Sequence, residues 1–520
     1  MMPIASYQVD FFPGGNGASG VSGWGKRVLL GLLITGAAAA ISLIMIESDG
    51  NLLAGIAFVA VLASLAITLY RLDYGFYLFI GAVLLFDQFD IPGYEPPTFK
   101  IAYFRNLKEI PYLPSFSAGV VNPLELHLLF LVFVWLFVFS VRKDLQLRKA
   151  PVWGAALLLL GGMVSSLVMG LAKGGELLVA FWEVRALFYL AILYFFVPQI
   201  IQTKEQIRAF LWVCISAITI KAVQGIIRYA SLGFSLSGIQ TLTNHEDPLF
   251  FLSLIMFLFG LTLFNARDSQ RRVLIFLLLP LMMGFFVAQR RAVYAAIAPA
   301  FAIFVALLSP KRRVMLFKTA VPVIGFLVIY GAIFWDSDSK WGAPVRLVKS
   351  GLSTDPETSG EHYYSNLYRE IEKMDLAVTI KKSPVFGIGY GNKYEMPLPL
   401  VKIAFPLRDY IPHDQILWVM VKTGAVGFGF FWFFFDCVAF RAASFFPKLD
   451  DPYLKSVLAL IVIMIGAQMV VSYYDMQLTY YRNMVYLGTL MGLFPAIESI
   501  QTRRNGKPET PVPDPFMEKT

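Results

Sequence analysis

The stretch 273-VLIFLLLPLMMGFFVAQRRAVYAAIAPAFAIFVALL-308 decides the fold. It consists of two apolar runs with the polar triplet Gln289-Arg290-Arg291 between them. A helix needs about 20 mostly apolar residues to cross a bilayer, so the stretch reads as a hairpin of two membrane helices. The pattern recurs outward in both directions, at 28–46, 51–70, 75–88, 122–140, 151–171, 179–200, 208–229, 248–265, 273–289, 292–309, 316–335, 414–440, 456–473 and 480–497. The expected fold is therefore all-α, a polytopic transmembrane helix bundle of about 14 spans (about 12–14), with a large outer loop containing helical segments.

Composition agrees. Of 520 residues, 57% are hydrophobic and 15% charged, whereas soluble domains carry about 25% charged residues. Such a chain has too little polar surface to cover a water-soluble core. The net charge of +9 is accounted for by Lys and Arg collecting in cytoplasmic loops, so no nucleic-acid partner is expected. Cys214 and Cys437 each lie inside an apolar run, which supports neither a disulfide framework nor a cysteine metal site.

The loops give an orientation. With the N-terminus in the cytoplasm, as Lys26 and Arg27 suggest, every second loop should be basic. Arg71, 141-VRKDLQLRK-149, 202-QTKEQIR-208, 265-NARDSQRR-272, 311-KRR-313, Arg441 with Lys448, and 503-RR-504 all fall inside. The alternate loops hold 47-ESDG-50, 88-QFDIPGYEPP-97 and 473-YYDMQ-477. The expected organisation is a disordered cytoplasmic N-terminus (1–27), spans over 28–335, a large outer loop (336–412), spans over 413–499 and a disordered cytoplasmic tail (500–520). The first run reads as a retained helix rather than a cleaved signal. A loop as long as 336–412 has structure or function of its own. Tyr364, Leu367, Tyr368, Ile371, Met374 and Val378 recur in it at helical spacing, up to Ser383-Pro384, and predict an amphipathic helix on the membrane surface or over a cavity.

Ionisable residues near the membrane are functional candidates by default. Arg185 lies in the outer part of the sixth span, where the plainer reading is snorkelling or a pair with Glu183 or Glu176. Two adjacent arginines, Arg290 and Arg291, in an outward turn run against the charge rule. Arginine forks onto phosphate oxygens, so they suggest a phosphate-rich ligand, against the plainer reading of a polar turn. His413 opens the twelfth span in 411-IPHDQILWVMVKTGAVG-427, with Asp414 beside it and Gly424 and Gly427 a turn apart as a close-packing feature. A histidine at a helix start is a candidate base, though a lone one is more often structural. His245 and His362 read as structural groups or substrate contacts, and His127 with Glu125 as a polar helix contact. The glycines of 386-FGIGYGN-392 follow no strand and read as a tight turn before the chain re-enters the membrane. No spacing of His, Asp and Glu makes a convincing metal site.

These features together resemble the O-antigen ligase and polysaccharide polymerase superfamily, over about residues 240–430. That family has a large periplasmic loop ending in His, then Asn, Ser or Gln, nine residues, Gly, two residues and a small residue. Here His413, Asp414, the nine residues from Gln415 to Thr423, Gly424 and Gly427 follow that spacing. Asp414 departs from it and leaves room for a polymerase. The stretch 383-SPVFGIGYGN-392 looks like the family's Pro-containing, Gly-rich segment, and 289-QRRAVYAAI-297 looks like its basic motif. Arg185 looks like its other outer arginine, and Arg369 stands where members carry an Arg in the loop helix.

The resemblance implies a bacterial inner-membrane glycosyl transferase with its active face in the periplasm and no cofactor or essential metal. It would move a glycan from undecaprenyl diphosphate to a hydroxyl on the lipid A core or on a second lipid-linked glycan. His413 and Asp414 would be catalytic, Arg185, Arg290, Arg291 and Arg369 would bind the diphosphate, an apolar cavity between the spans would hold the isoprenoid tail, and membrane lipid would be a further partner. A transporter or flippase is the rival from another class. It predicts repeats with polar groups at the membrane midplane, and no internal repeat is evident.

Overall fold

The computed structural model describes residues 35–46, 50, 52–91, 93–110, 120–141, 147–235, 241–337, 339–342, 345–346, 348–349, 362–401 and 405–504. The expected N-terminal arm, the tail beyond residue 504 and most of the loop between 343 and 361 lie outside them. Fifteen helices organise the described residues, with no strand among these residues. They are α1 (Thr35–Ile46), α2 (Leu52–Tyr70), α3 (Leu72–Leu85), α4 (Pro123–Val141), α5 (Trp153–Ala172), α6 (Leu177–Ile200), α7 (Lys204–Ser231), α8 (Asp247–Leu263), α9 (Ser269–Val287), α10 (Arg291–Leu307), α11 (Pro310–Ile333), α12 (His362–Lys382), α13 (Gln415–Phe445), α14 (Pro452–Tyr474) and α15 (Tyr481–Arg504). Every expected span coincides with a helix, and α12 stands where the loop helix was predicted.

Seven helices, α4, α5, α6, α7, α9, α13 and α14, are long and apolar enough for a full crossing. Among the described residues the expected count of about fourteen crossings is not confirmed. Part of the reason is local. Helices α8 and α10 have 17 residues each, about 26 Å, because charged residues stop their apolar runs at one end. Helix α15 is long, but Arg482 and Asn483 open it.

The chain divides into two compact units. In the first, α2 and α3 pack on each other and on α4. Asn122 and Glu125 cap α4 reciprocally, each side chain accepting the other's backbone N–H at 2.9 Å. His127 then meets the Tyr103 hydroxyl at 3.1 Å, a polar helix contact.

In the second unit α14 is central and packs on α8, α10, α13 and α15. Helix α6 lies along α15, where a Cβ on Gly488 would stand 2.7 Å from the Leu190 backbone. Without a hydrophobic drive between helices in lipid, such close backbone approach supplies the packing energy. One end of this unit carries caps and ion pairs: Thr203 caps α7, Asp268 caps α9 and Asp451 caps α14. Arg208 pairs with Asp268 at 2.7 Å and Lys204 with Asp451. Three of the loops that the charge rule assigns to one side, 202–208, 265–272 and the one ending at Asp451, thus meet at one end. The 19 residues of α9 separate them from Arg290, about 28 Å away along the axis.

Candidate functional site

At the other end, the starts of α8, α10, α13 and α15 meet the ends of α9 and α14, with α12 beside them. The central helix α14 delivers Asp475 to this place, immediately after its last residue.

His413 precedes the start of α13. Its backbone N–H donates to Glu372 Oε2 at 2.8 Å, and its ring Nδ1 lies 3.3 Å from Glu372 Oε1. Glu372 is buried on α12. The carboxylate set against the His413 ring is therefore Glu372, and not the adjacent Asp414. Asp414 instead takes the N-cap of α13 and accepts the Leu417 N–H at 3.0 Å. A short carboxylate at a helix start is held by the free N–H groups there. Burial pushes the Asp414 carboxyl up to about 6, against the Leu417 N–H and the Lys373 charge.

Helix α12 also turns differently from its apolar stripe. Glu372, Asp375, Leu376 and Thr379 form the buried face, while Tyr364, Leu367 and Met374 are exposed. The polar face lies inward because it makes specific contacts: Asp375 accepts the Leu398 N–H and Thr379 the Glu395 N–H, each at 3.0 Å.

Gln289 adopts a left-handed φ of 54° and turns the chain sharply from α9, setting Arg290 at the N-cap of α10. Burial lowers the Arg290 pKa, the Asp475 charge opposes this, and Arg369 lowers it further. Arg291 also feels the Arg369 charge. The Nε atoms of Arg290 and Arg369 are both buried with no hydrogen-bond partner. A buried unpaired donor on a cation is costly.

Asp475 sits among these cations. Burial raises its pKa, but His245, Arg290 and Arg369 outweigh this and hold the carboxyl well below its usual range. His245 Nδ1 lies 3.5 Å from Asp475 Oδ2, and the ring meets Tyr480 edge-on at 5.9 Å. Just behind, Arg482 pairs with Glu246 at 2.7 Å and with Asp247 at 2.8 Å, all three fully buried. Glu372, Asp475 and Arg482 are not among the residues the sequence singles out: Asp475 and Arg482 are charges beside helix ends, and Glu372 is one charge among several in the middle of α12.

Arg290, Arg291 and Arg369 thus feel one another's charges, and His413 lies within electrostatic reach of His245 beside them. Arg185 is buried on α6, one turn before Tyr189, whose ring meets Tyr481 edge-on at 5.5 Å. It stands beside the start of α15 and not in a contact traced above. Of the carboxylates weighed as its partner, Glu183 also holds Lys422 at 2.6 Å, and Glu176 accepts the Tyr410 hydroxyl at 2.6 Å.

The glycine pair plays two distinct parts. Gly424 does not pack one regular helix on another; its φ of 63° and ψ of −172° break α13. The 383–392 segment fills the break. Ile388 and Gly389 donate to the Val421 and Lys422 carbonyls at 2.9 and 3.0 Å, and Ala425 and Val426 donate to Pro384 and Val385 at 2.8 and 3.2 Å. A Cβ on Gly424 would lie 2.3 Å from the Val385 backbone. Gly427, by contrast, packs against Gly162 of α5.

Residues 274–432 match the family model described as O-Antigen ligase. That segment runs from α9 to the first half of α13 and contains Arg290, Arg291, Arg369, Glu372, His413, Asp414, Gly424 and Gly427. No curated protein matches the chain. Residues 274–432 are therefore an O-antigen ligase family domain, in a chain whose described residues include seven helices long and apolar enough to cross a membrane.

Proposed function

We propose that the protein is an O-antigen ligase-like glycosyl transferase of the bacterial inner membrane. It moves a glycan from undecaprenyl diphosphate to a hydroxyl acceptor, such as a lipid A core sugar, on the periplasmic face, with both termini cytoplasmic. The observation that carries this reading is the pair of buried, unpartnered Nε donors on Arg290 and Arg369, close to an imidazole backed by a carboxylate.

In this reading Arg290, Arg291 and Arg369 receive the diphosphate, with Arg185 on its approach. Charge gathers on the diphosphate as the bond from the sugar's anomeric carbon breaks. Fixed guanidinium donors stabilise it, by about 3–4 kcal/mol for each well-placed donor, which is the work a divalent cation does elsewhere. Glu372 accepts Nδ1–H of His413, leaving Nε2 free to take the acceptor's proton. Asp414 supports the site through the helix start it caps. Gly424 and Gly427 set the height and packing of α13. Apolar spans and membrane lipid surround the isoprenoid tail.

Asp414, where ligase relatives carry Asn, Ser or Gln, favours a second reading in which the acceptor is another lipid-linked glycan and the product a polymer. His413→Ala and Arg290→Ala in a deletion strain, with surface polysaccharide resolved on a gel, test both. Loss of capped lipid A with lipid-linked chains accumulating supports the ligase. Collapse to single repeat units supports the polymerase. Unchanged polysaccharide in both variants overturns the transferase reading.

A further inference from the structure

The site contains a second imidazole arranged like the first. His245 and His413 each set Nδ1 against a carboxylate, at 3.5 Å from Asp475 and 3.3 Å from Glu372. Nδ1 of His245 is buried, yet the side chain is 33% exposed, so part of the ring other than Nδ1 is open.

The carboxylate beside the ring is held firmly. Asp475 also accepts the Met476 N–H at 2.9 Å and Gln477 Nε2 at 3.3 Å, and Gln477 is fixed in turn by Asn483 at 2.9 Å. On the other side the chain runs directly into Glu246 and Asp247, clamped on Arg482. The charged and titratable groups facing His245 are Asp475 and Tyr480 from the α14–α15 connection, Arg290 from the α9–α10 turn and His413 from the start of α13. Arg369 of α12 faces Asp475.

We infer that His245, beside Asp475, is a diphosphate-binding residue of the site, whose Nε2–H donates to the diphosphate oxygen released from the donor sugar. This rests on the donor reading above. The balance is simple. The acceptor oxygen bonds to the anomeric carbon, and its proton passes to His413. The carbon–oxygen bond to the diphosphate breaks, its electron pair stays on that oxygen, and the imidazolium of His245 donates a hydrogen bond to it. One imidazole must be neutral and the other charged. Burial and Arg290 keep His245 low, against Asp475. An arriving diphosphate offsets the Arg290 charge and adds its own negative charge, so the ring gains its proton together with the donor.

The test is binding of undecaprenyl diphosphate to the full-length protein in nanodiscs between pH 5.5 and 8. The wild type should lose about tenfold more affinity across this range than His245→Gln, as a one-unit shift in a single group dictates. Asp475→Asn should change the slope as His245→Gln does, and His413→Gln should keep the wild-type slope. Equal slopes in the wild type and His245→Gln, with the lipid bound by both, overturn this inference and leave the donor reading standing. No binding to any of the four proteins overturns both.

Discussion

Glu183 of α6 and Lys422 of α13 form an ion pair of 2.6 Å in which both side chains are fully buried. Glu183 also accepts the Gly391 N–H at 2.6 Å, and Lys422 Nζ donates to the Asn392 carbonyl. Two spans and the glycine-rich segment are thus joined at one buried point. Charges so deep could suggest a transport path, but here each answers the other and the backbone beside it.

Removing one partner leaves the other buried and uncompensated. Lys422→Met or Glu183→Leu alone should destabilise by about 3–5 kcal/mol, read as a lower melting temperature of the detergent-purified protein. The double variant should recover a large part of that loss. A double variant as unstable as the sum of the two singles would show that the charges do not act as a pair.

Gly424→Ala should lower the yield of folded protein sharply, since it combines a left-handed φ with a Cβ 2.3 Å from the Val385 backbone. Gly427→Ala should cost less, because the nearest atoms to its new Cβ belong to the Thr423 side chain. Size-exclusion profiles of the two variants compare them directly, and equal yields would contradict this assignment.

Glu372→Gln and Asp414→Asn separate orientation from capping. Asparagine caps a helix about as well as aspartate, so Asp414→Asn should retain most transfer activity. Glu372→Gln should lose about 10- to 100-fold, a range typical of groups that orient a working histidine. The reverse order would return the orienting role to Asp414.

Asp414 also makes a prediction about pH. Its folded pKa, about 6, lies above the usual carboxylate value of 3.8. The folded state therefore holds the proton more tightly than the unfolded state, and stability falls as pH rises from about 4 through about 6. Thermal unfolding of Asp414→Asn across that range should be flatter than that of the wild type.

Lysine should not replace arginine at Arg290 or Arg369. A point ammonium cannot supply the planar fork, so Arg290→Lys and Arg369→Lys should each lose about 100-fold or more in transfer activity. Near-wild-type turnover in both would remove the diphosphate from this place.

Much of this architecture is legible in the sequence because the bilayer enforces long apolar runs, and runs survive without knowledge of packing. The triplet Gln289-Arg290-Arg291 is legible for the same reason: charge is conspicuous between two such runs. Glu372 was not, because in the sequence it is one charge among several on an amphipathic helix, and helical periodicity cannot say that the polar face turns inward. Asp475 and His245 lie 230 residues apart in sequence, and only the packing of α8 on α14 brings them together. The break at Gly424 was hidden by its own surroundings. Apolar residues continue on both sides, and the partner that fills the gap is the segment 383–392, about 35 residues earlier.

That filled gap sets a constraint on how the domain can evolve. Arg369 and Glu372 ride on α12, and α12 runs straight into the segment moored across the interrupted helix. Only six residues separate Lys382 from Gly389, so an insertion or deletion there would move the arginine and the glutamate away from Arg290 and His413 together. Variation in length should accumulate ahead of α12 and be absent behind it.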